Sequence, residues 1–300
     1  MFVIEQTNVD FGYLDVISTI LSSGNRITRR GMEVMESRGV LILDNPRDRV
    51  VQNPARKLSP RFLAGEFFWI FLGDESVQTI RKFNSKMSEY SDDGLTLYGA
   101  YGPRIKNQLQ DVKKKFLDDV YTRQAIVVIS RPSDLLAKTK DFPCNSVLHF
   151  NVDTDNKLSL TTFVRSQDLL LGFPYDIFHW TLFQESLAVE LNLGIGKYFH
   201  VMSNCHIYTK DLEKMENISS QKNYERFEMN PMITSPWEIE DKISLSFYSE
   251  NLDTSIGGIW KDLLLASFSS FNEIEDRAIR KVSECWKKNS EIKKSFLTQQ

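Results

Sequence analysis

The sequence predicts an α+β fold in which a β-sheet packs on buried helices. Three observations carry that expectation. QAIVVIS (124–130), VLHFNV (147–152), KLSLTTFV (157–164) and KYFHVMSN (197–204) are apolar, β-branched runs of strand length. Between the last two, residues 176–191 set Ile177, Trp180, Phe183, Leu187 and Leu191 at helical spacing. Residues 59–73 crowd Phe62, Leu63, Phe67, Phe68, Trp69, Ile70 and Phe71 into one further helix, which has to be buried.

Taken in order, FGYLDVISTILS (11–22) repeats its apolar side chains with helical spacing, and Gly24 ends it. The basic stretch NRITRRG (25–31) then reads as a loop, either solvated surface or, through Arg29 ahead of Gly31, a wrap for a phosphate. Ser59-Pro60 is a helix-start signal, a capping hydroxyl followed by proline at the first helical position, and the helix it opens runs to Gly73. Glu66 sits in the middle of it. Either it lies on the one exposed stripe, or it is desolvated, with a raised pKa suited to proton transfer near neutrality.

Residues 77–90 read as another helix and 91–104 as a turn-rich loop holding Tyr98, Tyr101 and Arg104. Lys106 to Tyr121 reads as a charged surface helix. Residues 272–297 form a charged amphipathic pattern with Ile274, Val282 and Trp286 on its packing face, and the expectation there is a solvated or partner-contacting helix.

Bulk composition narrows the function classes. With 41% hydrophobic and 26% charged residues over 300 positions, the chain can bury a sizeable core, and no Pro/Gly/Ser-rich linker divides its first 230 residues, so one domain is expected over 1–300. A formal charge of −3 gives no overall attraction to nucleic acid or to an anionic membrane. Any phosphate must be met by a local cluster, which a mononucleotide would satisfy. No apolar run approaches the roughly 18 residues of a membrane span, and MFVIEQTNVD lacks the form of a signal peptide, so a cytoplasmic location is expected. Three cysteines without a CxxC, and four histidines, argue against a disulfide framework and against a metal site. They leave room for one reactive thiol, with Cys285 read as structural.

That thiol is Cys144, behind a proline in DFPCNSVLHFNV (141–152). Cysteine adds readily to an electron-poor double bond once a nearby cation draws it toward thiolate. Arg165 follows twenty-one residues on. With a turn at 153–156 (DTDN), antiparallel pairing of 147–152 with 157–164 brings 144 and 165 to the same end of one ribbon. A small buried cysteine at a strand start is the competing reading.

Spread along the chain in consistent order are Pro143-Cys144, Arg165-Ser166-x-Asp168, Leu171-Gly172-x-Pro174-Tyr175-Asp176, His206-x-Tyr208, Glu66 within GEFFWIFLGDES, Tyr98-Gly99, Arg29-x-Gly31 and Thr122-Arg123. Together, over about residues 11–215, they resemble thymidylate synthase and its relatives the pyrimidine-nucleotide hydroxymethylases. The resemblance implies a mixed β-sheet whose outer face forms a homodimer interface. It implies that Cys144 attacks carbon 6 of a pyrimidine nucleotide, making carbon 5 nucleophilic toward 5,10-methylenetetrahydrofolate. Glu66 and the loop tyrosine Tyr98 would serve proton transfer, and Arg29, Arg165, Ser166 and the partner's Arg123 would hold phosphate. His206 and Tyr208 would bind the sugar hydroxyl, and Asp168, with Leu171 and Gly172, would line the folate side.

Departures from the synthase pattern point to one branch of that family. Asp176 stands where a synthase has asparagine, whose amide both accepts from and donates to uracil; a carboxylate accepts instead from the amino group of cytosine. The bland alternative is that Asp176 caps the helix it opens. Met87 and Tyr90 replace two folate-side tryptophans, Asn145 replaces the histidine after the nucleophile, and Arg123-Gln124 replaces a pair of arginines. The end of the chain, KKSFLTQQ, does not resemble the apolar tail that closes over folate in synthases. These departures favour a hydroxymethylase of a cytidine monophosphate, dCMP slightly ahead of CMP, with water trapping the transferred methylene. A divergent synthase acting on dUMP is the runner-up, and an idle binding relative is the third reading.

Overall fold

A computed structural model describes residues 1–297, with side chains as far as position 288. Strand β1 (Phe2–Gln6) leads to helix α1 (Val9–Ser23), which Asn8 caps by accepting from the Phe11 amide. Strands β2 (Asn25–Arg29) and β3 (Met32–Leu43) then form an antiparallel hairpin across Arg30 and Gly31, both at positive φ. The basic stretch is therefore strand and turn rather than loop. Its alternation is invisible in sequence because both faces of β2 are exposed.

Helix α2 (Pro60–Phe71) begins where Ser59 and Pro60 predict, with the Ser59 hydroxyl accepting from the Phe62 amide at 3.2 Å. The helix expected over 77–90 is only a short α3 (Val77–Ile80) and a 3-10 turn over Ser85–Tyr90. Too few apolar groups face the core there to hold a full helix. Helix α4 (Gly102–Asp118) precedes β4 (Ile126–Val128), β5 (Asn145–Val152), β6 (Lys157–Val164) and the short β7 (Gln167–Asp168). Helix α5 (Phe173–Glu190) crosses to β8 (Gly194–Tyr208).

The strands make one mixed sheet in the order β1-β3-β8-β6-β5-β4, with β2 on β3 and β7 on β8. β6 and β8 run parallel, so α5 is the crossover between them. Apart from its first turn it is buried nearly all round, which suits the central helix of a core. Register follows the count made from the turn: Asn145 faces Val164, and the Arg165 amide donates to the Cys144 carbonyl at 2.9 Å.

Helices α6 (Leu212–Ser220), α7 (Glu240–Ser249), α8 (Gly258–Ser267) and α9 (Arg277–Leu297) complete the chain. The last segment is not a solvated appendage. Trp260 of α8 stacks on Phe67 of α2, centroids 5.8 Å apart, and its indole donates to the Thr234 carbonyl. Asp262 accepts from the amides of Glu275 and Asp276, and Asp276 in turn accepts from those of Asn230 and Ile279, fixing the start of α9. Ile274 and Val282 are buried as expected, whereas Trp286 is 36% exposed. Residues 298–300, part of the tail compared above, lie outside the described residues. Trp260→Ala is expected to lower stability by about 3–5 kcal/mol, because a buried ring leaves a cavity against α2; urea unfolding followed by circular dichroism measures it.

Candidate active site

Three structural decisions converge on Cys144. The β5–β6 ribbon carries it and Arg165 at one end; α2 brings Glu66; and the first turn of α5 brings Asp176. Arg165 donates to the carbonyls of Pro143 (2.8 Å) and Phe142 (2.7 Å), lies over the Phe142 ring and meets the Cys144 sulfur at 3.6 Å. The guanidinium thus holds the loop that holds the thiol. It also pulls the thiol's pKa down, but burial outweighs it and, with Asp176, Asp141 and Asp168 adding repulsion, Cys144 is pushed up to about 11.

Glu66 is the one partly exposed position between Phe62 and Phe71, and its side chain is 18% exposed. Burial raises its pKa well above the ordinary value, helped by Asp176 and Asp141. Of the two readings open in sequence, desolvation is the one observed. His179, one turn along α5 from Asp176, lies 3.7 Å from Glu66, and burial pushes its pKa down to about 3, so it stands neutral there.

Asp176 is not a helix cap. The helix starts three residues earlier, at Phe173, and both carboxylate oxygens accept from side chains instead: Oδ1 from Asn145 Nδ2 and Oδ2 from Gln167 Nε2, each at 2.9 Å. Burial raises its pKa to about 6, with the two amides pulling it back. A Cβ at Gly172 would stand 3.1 Å from Gln167 Nε2 and 3.3 Å from Asp176 Oδ2 and would press on both.

The loop tyrosine needs correction. The Tyr98 hydroxyl donates to Asp134, which also takes two donors of Arg104, so that phenol is committed to a structural ion pair. Tyr101, three residues on, puts its hydroxyl 2.9 Å from Asn145 Nδ2, where Asp176 and Cys144 add to burial in raising its pKa. Periodicity does not separate two tyrosines in a loop that turns into α4. Only the packing of Tyr101 on Trp180 does.

Other expected residues fall around this centre. Asp168 Oδ1 accepts from the amides of Leu170 and Leu171, shaping the turn that leaves Leu171 59% exposed. The Tyr90 phenol is raised by burial, then by charges that include Asp168, Asp141 and Cys144, so it borders the same site; Met87 packs on the core. His206 meets Tyr208 edge-on at 5.2 Å and pairs in register with Glu36. Glu36 binds Arg29 through both oxygens, at 2.6 and 3.1 Å, so the expected phosphate arginine is engaged by a carboxylate. Ser166 directly follows Arg165, and Arg123 is exposed on the approach to β4. Among the described residues no cluster of three or more His, Cys, Asp or Glu has metal-site geometry, and no helix is long and apolar enough to cross a membrane.

A mixed sheet in which one hairpin sets a cysteine against an arginine, with three carboxylates acting on the sulfur, makes a candidate thiol site on an α+β scaffold. The sequence model of the family described as thymidylate synthase matches residues 11–251, and the chain belongs to that family. It is 31% identical over 231 residues to the deoxyuridylate hydroxymethyltransferase of Bacillus phage SP01, covering 71% of this chain and 60% of that protein. It is 32% identical to the proteins of the same name from Pseudomonas phage M6, over 179 residues (57% of this chain, 50% of that one), and Delftia phage PhiW-14, over 181 (55% and 50%). The chain thus spans 50–60% of the length of these relatives.

Proposed function

We propose that this protein hydroxymethylates carbon 5 of a pyrimidine nucleoside monophosphate, with 5,10-methylenetetrahydrofolate as co-substrate and cytosine as the base. The Cys144 sulfur adds to carbon 6, and carbon 5 takes the methylene that the folate supplies. Loss of the carbon-5 proton and of tetrahydrofolate leaves an exocyclic methylene. Water adds to that methylene as the sulfur leaves, and the sum is nucleotide plus methylenetetrahydrofolate plus water giving hydroxymethyl nucleotide plus tetrahydrofolate. Glu66, raised by burial, suits the proton and water transfers. Tyr101 rather than Tyr98, its hydroxyl 2.9 Å from Asn145 Nδ2 and its pKa raised in part by Asp176 and Cys144, is the tyrosine assigned to proton transfer. Arg165, Ser166 and Arg29 serve phosphate, with Glu36 displaced from Arg29 as phosphate arrives. His206 and Tyr208 serve the sugar hydroxyl common to dCMP and CMP, and the deoxy form keeps its slight preference. Asp168, Leu171, Gly172, Met87 and Tyr90 form the folate side.

The observation that carries the base assignment is Asp176, whose pKa of about 6 leaves it a carboxylate at neutral pH, an acceptor for the cytosine amino group. A second reading, dUMP, is favoured by the names of the three relatives. Incubation with dCMP, CMP and dUMP plus methylenetetrahydrofolate, read by mass spectrometry, separates them: gain of CH2O on a cytosine nucleotide is expected, and gain on dUMP alone overturns the base assignment. Gain of CH2 with dihydrofolate formed would mean a divergent synthase.

The pH dependence has a definite sign. Above pH 7 Asp176 is ionised and favours cytosine; as pH falls through about 6 it gains a proton, presents a donor and an acceptor together, and suits uracil. The ratio of kcat/KM for dCMP to that for dUMP is expected to fall severalfold between pH 7.5 and 5.5, roughly as the ionised fraction does. Titration of Glu66 and of the phosphate affects both substrates and cancels. A flat ratio would remove Asp176 from base selection.

A second copy of the chain is proposed to cover the outer face of the sheet, where Ile126, Val128 and Phe163 are 44%, 47% and 42% exposed. Arg123 is then proposed to serve the partner's phosphate.

A further inference from the structure

Behind Asp176 runs a buried chain of hydrogen bonds that the reaction itself does not use. Gln167 Nε2 meets Asp176 Oδ2 at 2.9 Å, and Gln167 Oε1 meets His200 Nε2 at 2.8 Å. On the far side of the imidazole, His200 Nδ1 lies 2.8 Å from Thr162 Oγ1 and 2.9 Å from the Tyr198 hydroxyl. Gln167, His200, Thr162 and Tyr198 are all buried, so none of these groups can turn to solvent.

The direction of each bond can be worked out from the ends. Burial holds the ring neutral, with its pKa pushed down to about 3, so it carries a single N–H. Asp176 as a carboxylate can only accept, so the Gln167 NH2 faces it and Gln167 Oε1 faces the ring. Nε2–H must then donate to the Gln167 carbonyl oxygen, which leaves Nδ1 to accept from the hydroxyls of Thr162 and Tyr198. On the other oxygen the logic is independent. Trp180 Nε1–H, which can only donate, meets Asn145 Oδ1 at 3.0 Å, so Asn145 presents its NH2 to Asp176 Oδ1. Both oxygens of Asp176 therefore face fixed donors. The titratable groups around it are Glu66 from α2, Tyr101 at the start of α4, Cys144 ahead of β5 and Tyr198 from β8, none of which forms a hydrogen bond with it.

We propose that His200 is a positioning residue for base selection: through Gln167 it locks Asp176 as an acceptor, and so sets the preference for a base that offers an amino group. The opposite polarity is chemically complete: a proton on Asp176 Oδ2 donating to Gln167 Oε1, Gln167 NH2 donating to Nε2, and the ring proton on Nδ1. That arrangement neutralises Asp176 and removes the charge that would repel a uracil carbonyl. His200 selects between the two, and its tautomer is the switch. The inference rests on the assignment of Asp176 to base reading.

The test uses the full-length protein and the ratio of kcat/KM for dCMP to that for dUMP. His200→Phe keeps ring volume and removes the donor, so Gln167 is free to turn over; the ratio is expected to move toward uracil by about tenfold or more. His200→Gln places an amide N–H where Nε2–H was and is expected to bring the ratio back to within about threefold of wild type. A merely structural histidine would lower both substrates together in both variants, and an unchanged ratio in His200→Phe overturns the proposal. If His200→Phe fails to fold, Gln167→Glu decides: two facing carboxylates must share a proton, and the ratio is expected to shift the same way, no shift again overturning it. A wild-type preference for dUMP would defeat the base assignment alone, because the relay is judged on the change in ratio and not on its starting value.

Discussion

Cys144→Ala is expected to lower turnover by at least about 10⁴-fold while leaving nucleotide affinity within a fewfold of wild type. The split follows from the division of labour in the site. Binding is assigned in the proposal to Arg165, Asp176, His206 and Tyr208, and Arg165 is held by backbone carbonyls of residues 142 and 143, which the substitution does not remove. Only the covalent step is lost. Burial pushes the thiol up to about 11, so at neutral pH it must lose its proton as the nucleotide arrives, and incoming phosphate or base has to reorganise the charges around it. Serine at this position would face the same burial with a far less acidic group and is expected to rescue little. Steady-state turnover with isothermal titration of the nucleotide checks both halves; turnover within tenfold of wild type would rule out the covalent route.

Asp176→Asn carries the second large effect. An amide presents one acceptor and one donor, so the dCMP-to-dUMP ratio is expected to swing toward uracil by about 10²–10³-fold, the scale on which a site built around one hydrogen-bonding pattern rejects another. Asn145, locked by Trp180, requires an acceptor on one side, which forces the new NH2 toward Gln167. Gln167 must then turn its carbonyl round, and the proton of His200 must move to Nδ1. The variant should therefore show the changed histidine tautomer in its ¹⁵N spectrum as well as the changed preference. An unchanged ratio would mean that Asp176 only ties Asn145 to Gln167.

How far the site was legible from sequence depended on how local its determinants are. Cys144 and Arg165 could be paired because a short turn fixes the register of one hairpin, and register is a matter of counting. Glu66 could be centred in its helix because Ser59 and Pro60 mark the start. Its desolvation could not be read, since it depends on packing against α5, more than a hundred residues further on. Tyr98 and Tyr101 exchange places because a turn entering a helix has no period to read. The hairpin of β2 and β3 was hidden by charge on both faces. Gln167 and His200 are thirty-three residues apart on different strands, and nothing in either neighbourhood marks them as partners; only the buried packing behind Asp176 brings their side chains within 2.8 Å.

The stacking of Trp260 on Phe67 bears on how this protein can be cut. The family match ends at residue 251, which invites a minimal version of the enzyme stopping there. Such a fragment would strip α8 from the helix that carries Glu66 and bare Phe67 and Phe68, both fully buried in the intact chain. It would emerge as a sticky, aggregation-prone product rather than a smaller catalyst, so expression designs should keep the chain through at least the first two turns of α9.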